Sequence, residues 1–319
     1  MRGLKLTLCL VGVVVLAGAA GASAAPFAYI TDTWSNDLYI IDTATNTVVT
    51  TAAVGVDPFG VAATPDGSRV YVANSSDNTV SVIDTATDTV STVPVGNRPI
   101  GVAVAPDESR VYVTDNHDNA VSVIDTATNT VVSTVPVGSG PYGVAVTPDG
   151  SRVYVANNGD GTVSVIDTAA NAVVATARVG NAPVGVVVRP DGARVCVTNS
   201  ADNTVSVIYT SDNVVWDLTP VGHTPLGTAV SPDGSRVYVA NYGDGTVTVI
   251  DAVSYQVITT VAVGSGPLGV AVTPDGLSVY VANSGDNNVS TIDTGTNTVT
   301  AAPVPVGTSP TAFGNFTGP

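Results

Sequence analysis

The chain has 319 residues, of which only 11% are charged and 5% aromatic, while 44% are apolar, mostly Val and Ala. Twenty-six acidic residues against ten basic ones give a net charge of −16, a surface that repels phosphate backbones and anionic lipid headgroups and excludes nucleic acid as an expected partner. β-Branched residues broken by Asn, Asp and Gly favour strands and tight turns, and no run rich in Leu, Glu and Lys predicts a helix after residue 25; the mature chain reads as all-β.

Residues 1–24 read as a signal peptide. Arg2 and Lys5 form a positive start, Leu6 to Ala20 an apolar stretch, and Ala22-Ser23-Ala24 a cleavage site of small residues. The apolar stretch falls short of the ~20 residues that span a bilayer. Cleavage after Ala24 leaves 25–319 as a single domain with eight basic residues against 26 acidic ones. That product is expected to be a monomer that is secreted, periplasmic or at the cell surface, with no membrane insertion after cleavage. Cys196 is its one cysteine, so no internal disulfide can staple the fold.

The rest of the chain repeats. A Tyr-Val-Ala-Asn-like tetrad begins at Tyr29, Tyr71, Tyr112, Tyr154, Cys196, Tyr238 and Tyr280, at intervals of 42, 41, 42, 42, 42 and 42 residues. So constant a period means one repeat architecture. Within the copy from Gly138 to Val179, strand A is predicted over Gly143–Val146, then a Thr-Pro-Asp-Gly turn. Strand B follows at Arg152–Ala156, a polar hairpin at Asn157–Gly161, strand C at Thr162–Asp167, a second turn, and strand D at Ala172–Val179. Four antiparallel strands in a unit of roughly 40–45 residues mark a β-propeller blade. Apolar residues at both parities of each strand fit a sheet covered on both faces.

The two ends predict how the ring closes. Phe27–Asp32 aligns with strand B, so the first blade lacks strand A; Pro310–Phe316 aligns with strand A and has nothing after it. The C-terminal segment is expected to lie beside Tyr29 and complete seven blades.

The tetrads Tyr71-Val72-Ala73-Asn74, Tyr154-Val155-Ala156-Asn157, Tyr238-Val239-Ala240-Asn241 and Tyr280-Val281-Ala282-Asn283 resemble the motif of the YVTN-repeat β-propellers. The Ile-Asp-Thr and Pro-x-Gly-Val-Ala-Val elements resemble it too. Over residues 26–316 the chain is similar to exported YncE-like proteins and to repeat domains of archaeal surface-layer proteins. The resemblance implies the fold. It implies no activity, since the motif residues are structural.

Five groups of residues are candidates for chemistry. If Asn157 pairs with Thr162, Arg152 faces Asp167, and the same register sets Arg69 opposite Asp84, Arg110 opposite Asp125 and Arg236 opposite Asp251; a pair repeated so often reads as a cross-strand ion pair. The hairpins Asn157–Gly161 and Asn241–Gly245 resemble calcium loops superficially but lack the closing Glu. Tight hairpins need the same residues, so calcium remains only a possible cofactor. His117 and His223 fall on one face, three blades apart, without a further His, Cys or Glu at ligand spacing. The residue after each strand-A proline is Phe59, Ile100, Tyr142, Val184, Leu226, Leu268 or Thr311. These form either an apolar collar around the channel mouth, where a ligand would sit, or packing between blades, the favoured alternative. In the divergent blade Pro183–Val221, Cys196 replaces Tyr and Tyr209 replaces the Asp opposite Arg194, which is left to stack on the ring.

Sequences for nucleophile elbows, zinc helices, haem attachment and phosphate loops do not occur. The expectation is therefore an exported, non-enzymatic propeller that binds a protein or another cell-envelope component. Its working face would carry the B–C hairpins and D–A connections. The alternatives are a propeller enzyme of lactonase or lyase type, with its site at the channel mouth, and a calcium-stabilised surface-layer-like protein.

Overall fold

A computed structural model describes residues 26–300 and 302–318. The signal peptide read at 1–24 lies outside them. The described chain contains no helix and folds into seven antiparallel sheets, the blades of a closed ring. In the fourth blade, strands A to D are Pro141–Val146, Arg152–Asn157, Thr162–Asp167 and Ala172–Arg178, hydrogen-bonded in that order. The B–C register runs from Arg152↔Asp167 to Asn157↔Thr162, as the hairpin residues predict.

Every blade turns its corners on residues in the left-handed region. In the second blade these are Gly67 (φ 70°), Asn78 (φ 56°) and Asp88 (φ 56°), with Asp57 (φ 57°) on the connection that leads into it. Gly, Asn and Asp reach that region at least cost, so the polar loops follow from the turns they must make. The blades then pack face to face. Tyr154, Val163 and Val165 of the fourth blade bury against Val195, Val197 and Ile208 of the fifth. The tetrad Tyr is thus a large side chain of the inter-blade cores, with Cys196 in its place in the fifth blade, and the two-sided burial explains the missing polar alternation.

The tetrad Asn is a buried hub. Asn74 accepts a bond from the Gly55 amide (3.1 Å) and donates to the hydroxyls of Thr79 (3.0 Å) and Ser81 (2.9 Å), tying the D–A connection to strands B and C. In the third blade Asp115 takes this place, fully buried, accepting from the Gly96 amide (3.1 Å) and the Ser122 hydroxyl (2.7 Å).

Ring closure follows the prediction in outline. The first blade holds Phe27–Asp32, Asp37–Asp42 and Thr47–Ala53, and Thr317–Gly318 from the C-terminus pairs with Phe27 and Ala28 as its innermost strand. Pro310 pairs with Asp32 at the other end. Between those points the segment does not run as the expected ladder. It carries extra residues, passes through Ala312 (φ 43°) and Gly314 (φ 124°), and pairs Phe313 in parallel with Gly60 of the second blade.

The Arg–Asp register holds in all four blades. The ion pairs are a partial correction. Arg110 and Arg152 meet Asp125 and Asp167, but Arg69 donates to the Thr126 carbonyl (2.6 Å) and Arg236 to that of Thr294, each in the next blade. The facing carboxylates already cap the C–D turns, as Asp84 does by accepting from the Ala86 and Thr87 amides, so a guanidinium is free to bridge blades instead.

Candidate functional site: a blind central channel

The innermost strand of each blade lines the axis, and in six blades its Pro-x-Gly start sets the channel's shape in layers. The glycine layer comes from close approach. A Cβ on Gly143 would lie 2.3 Å from the Val184 carbonyl oxygen; Gly60, Gly101, Gly185, Gly227 and Gly269 meet the next inner strand equally closely, at 2.1–2.4 Å. Only glycine lets the inner strands draw so near.

Above the glycines, on the face of the B–C hairpins, the collar side chains turn inward and meet. Phe59, Tyr142, Val184, Leu226 and Leu268, from five different blades, form one apolar cluster around Phe313. The rings of Phe59, Tyr142 and Phe313 stand 5.8–6.4 Å apart, in tilted or edge-on contact. The mouth imagined there is filled. Ile100 is buried outside the cluster, and the Thr311 hydroxyl bonds that of Thr31 at 2.8 Å. Packing was expected to be between blades; it is across the axis instead, because the C-terminal segment delivers a phenylalanine to the centre.

Below the plug the channel opens. A neck of about 20 Å³ lies among Gly101, Gly143, Gly185, Gly227, Thr228 and Phe313. It leads to a chamber of about 500 Å³ walled by strand-A Val and Ala residues and reaching Pro65, Pro232 and Pro274 of the A–B turns. The channel is blind, closed on the hairpin face and open on the other. Among the described residues, no Asp, Glu, His, Lys, Arg, Cys or Tyr lines the chamber.

The other candidates stay apart from it. His117 lies against the Arg98 guanidinium (3.2 Å) and His223 against Asp244 (2.8 Å), each in its own blade connection. In the calcium-like hairpins, Asp160 and Asp244 accept the amides of Ser139 (2.6 Å) and His223 (2.7 Å), so both carboxylates brace D–A connections. Among the described residues, no group of three or more His, Cys, Asp or Glu could hold a metal. Arg194 does stack, 4.9 Å from the Tyr209 ring centre and 5.6 Å from that of Tyr255 in the next blade. Burial pushes the Cys196 thiol up to about 12, which keeps it protonated and inert.

The molecule is a seven-bladed β-propeller of four-stranded antiparallel blades. Residues 92–193 match the family model described as a YNCE-like beta-propeller, and that match together with the seven-bladed ring supports a YncE-like propeller family. Among solved structures, the chain is similar to Kuenenia stuttgartiensis hydrazine synthase, at 27% identity over 83% of this chain and 92% of that one, with a TM-score of 0.76. A functionally unknown protein from Desulfotomaculum acetoxidans is similar at 18% identity, over 88% and 99% of the two chains, with a TM-score of 0.77. Dihydro-heme d1 dehydrogenase NirN in complex with DHE gives 17% identity over 87% of this chain and 63% of that one, with a TM-score of 0.66. The last two show the fold alone. Comparison with the curated proteins gives no match.

Proposed function

We propose that this is an exported, non-catalytic binding propeller that takes a small, uncharged, largely apolar ligand into its channel from the face of the A–B turns. The observation that carries the reading is the chamber of about 500 Å³, walled by Val and Ala and lined by no titratable group. Such a cavity offers apolar contact and shape but neither an acid, a base nor a nucleophile. Export rests on the leader read at 1–24.

The second reading is catalysis, and it is favoured by the likeness to hydrazine synthase, at 27% identity. Any such chemistry would have to be carried by groups outside the chamber wall. The test is a titration of the mature protein with the neutral dye N-phenyl-1-naphthylamine, whose emission rises in apolar surroundings. A saturable one-to-one rise is expected, and it should be lost in Val146→Trp, which sets an indole across the chamber. No saturable rise, or one that Val146→Trp leaves intact, would sink the binding reading.

A further inference from the structure

Five of the six inner strands that begin Pro-x-Gly carry Val next: Val61, Val102, Val144, Val186 and Val270. The sixth carries Thr228. Thr228 lines both the neck and the chamber, and its Oγ1 is buried without a hydrogen-bond partner. The other hydroxyls of the chamber wall are occupied: Thr64 donates to Asp66 (2.8 Å) and Thr317 to the Val272 carbonyl (2.7 Å). The amide of Asn315 is exposed to solvent. One unsatisfied hydroxyl therefore lies shut inside the wall of an apolar chamber, on a residue that lines the neck and in a place where Val satisfies the fold.

A buried hydroxyl without a partner is a standing cost, and the simplest relief is a bond from something in the cavity. A turn about χ1 exchanges the Thr methyl and hydroxyl between staggered positions, so Oγ1 can be presented to the chamber. We infer that the ligand has an apolar body and one uncharged hydroxyl or carbonyl at its leading end, and that Thr228 reads that end. The inference rests on the binding reading above and adds to it an orientation, with the polar end inward, and a specificity-determining residue. A charged end is disfavoured because no counter-charge lines the chamber to meet it.

The experiment compares octan-1-ol with n-octane as competitors of N-phenyl-1-naphthylamine, in the wild type and in Thr228→Val. The substitution installs the residue that the other five blades carry, and thermal melting reports that the variant folds. The expected result is a fall of about fivefold in the alcohol-to-alkane affinity ratio, the loss of one neutral hydrogen bond. If both compounds displace the dye and the ratio is the same in the two proteins, Thr228 reads nothing and the inference is overturned while channel binding stands. If the dye binds the wild type but neither compound displaces it, the inference is overturned alone; if the dye gives no saturable rise, both readings fail together.

Discussion

Asp115 is the one acid among the tetrad hubs of the second to seventh blades; Asn74, Asn157, Asn199, Asn241 and Asn283 hold the same place in the others. Burial raises its pKa from 3.8 to about 6, against the lowering effect of the bonds from Ser122 and Gly96. The folded state therefore holds a proton that the unfolded state has lost between those two values. Wild-type stability should fall as pH rises through that window and stay lower above it. Asp115→Asn keeps the shape, can still accept from Gly96, and has no charge to desolvate. Melting at pH 8 should show the variant more stable, by up to about 3 kcal/mol for a shift of this size, with the advantage gone at pH 4. A variant equal to or weaker than wild type at pH 8 would show that the carboxylate is well accommodated.

At the scale of the strand, the glycine layer sets the spacing of the ring. Gly143→Ala would drive a Cβ against the Val184 carbonyl oxygen, 2.3 Å away. Because that obstacle is backbone, relief requires two blades to part, at a cost of about 1–3 kcal/mol. Gly295→Ala, in a turn where only the Asp293 carboxylate lies near, should stay within about 0.5 kcal/mol. Denaturant unfolding of the two variants checks the contrast, and equal effects would mean the ring expands freely. The blade was legible in the sequence because each turn demands its left-handed residue, and fixing the turns fixes the register, as at Arg152↔Asp167. The plug was not, because alignment to the repeat puts Phe313 where other copies have a wall Val. One signal was present. The glycine due two places after Pro310 is Ala312, and glycine arrives only at Gly314, so the segment cannot hug its neighbour in the usual register. Where each Arg side chain would go was equally hidden, since register places its Cα while the acceptor is decided by the next blade.

For the whole molecule, stability and channel shape converge on the C-terminal segment. It supplies the inner strand of the first blade and, through Phe313, the plug that closes the channel on the hairpin face. Truncation after Ser309 should leave the edge of Phe27–Asp32 unpaired and uncover the apolar cluster. The expected result is a clearly lower melting temperature and higher-order species in size-exclusion chromatography, as open edges find partners in other copies. A monomer that melts like the wild type would show that the seven sheets close without a latch.

The latch also sets an order of events. Most packing in the ring joins blades that are neighbours in sequence, but the closing bond from the Ala312 amide to Thr31 spans 281 residues. Contacts so distant form last, since the chain between them must be ordered before their closure entropy is offset. As the chain is synthesised, its first blade waits with an open inner edge until residues 310–318 arrive. The first blade to be made is thus the last to be finished, and a slow final folding phase belongs to the ring's topology.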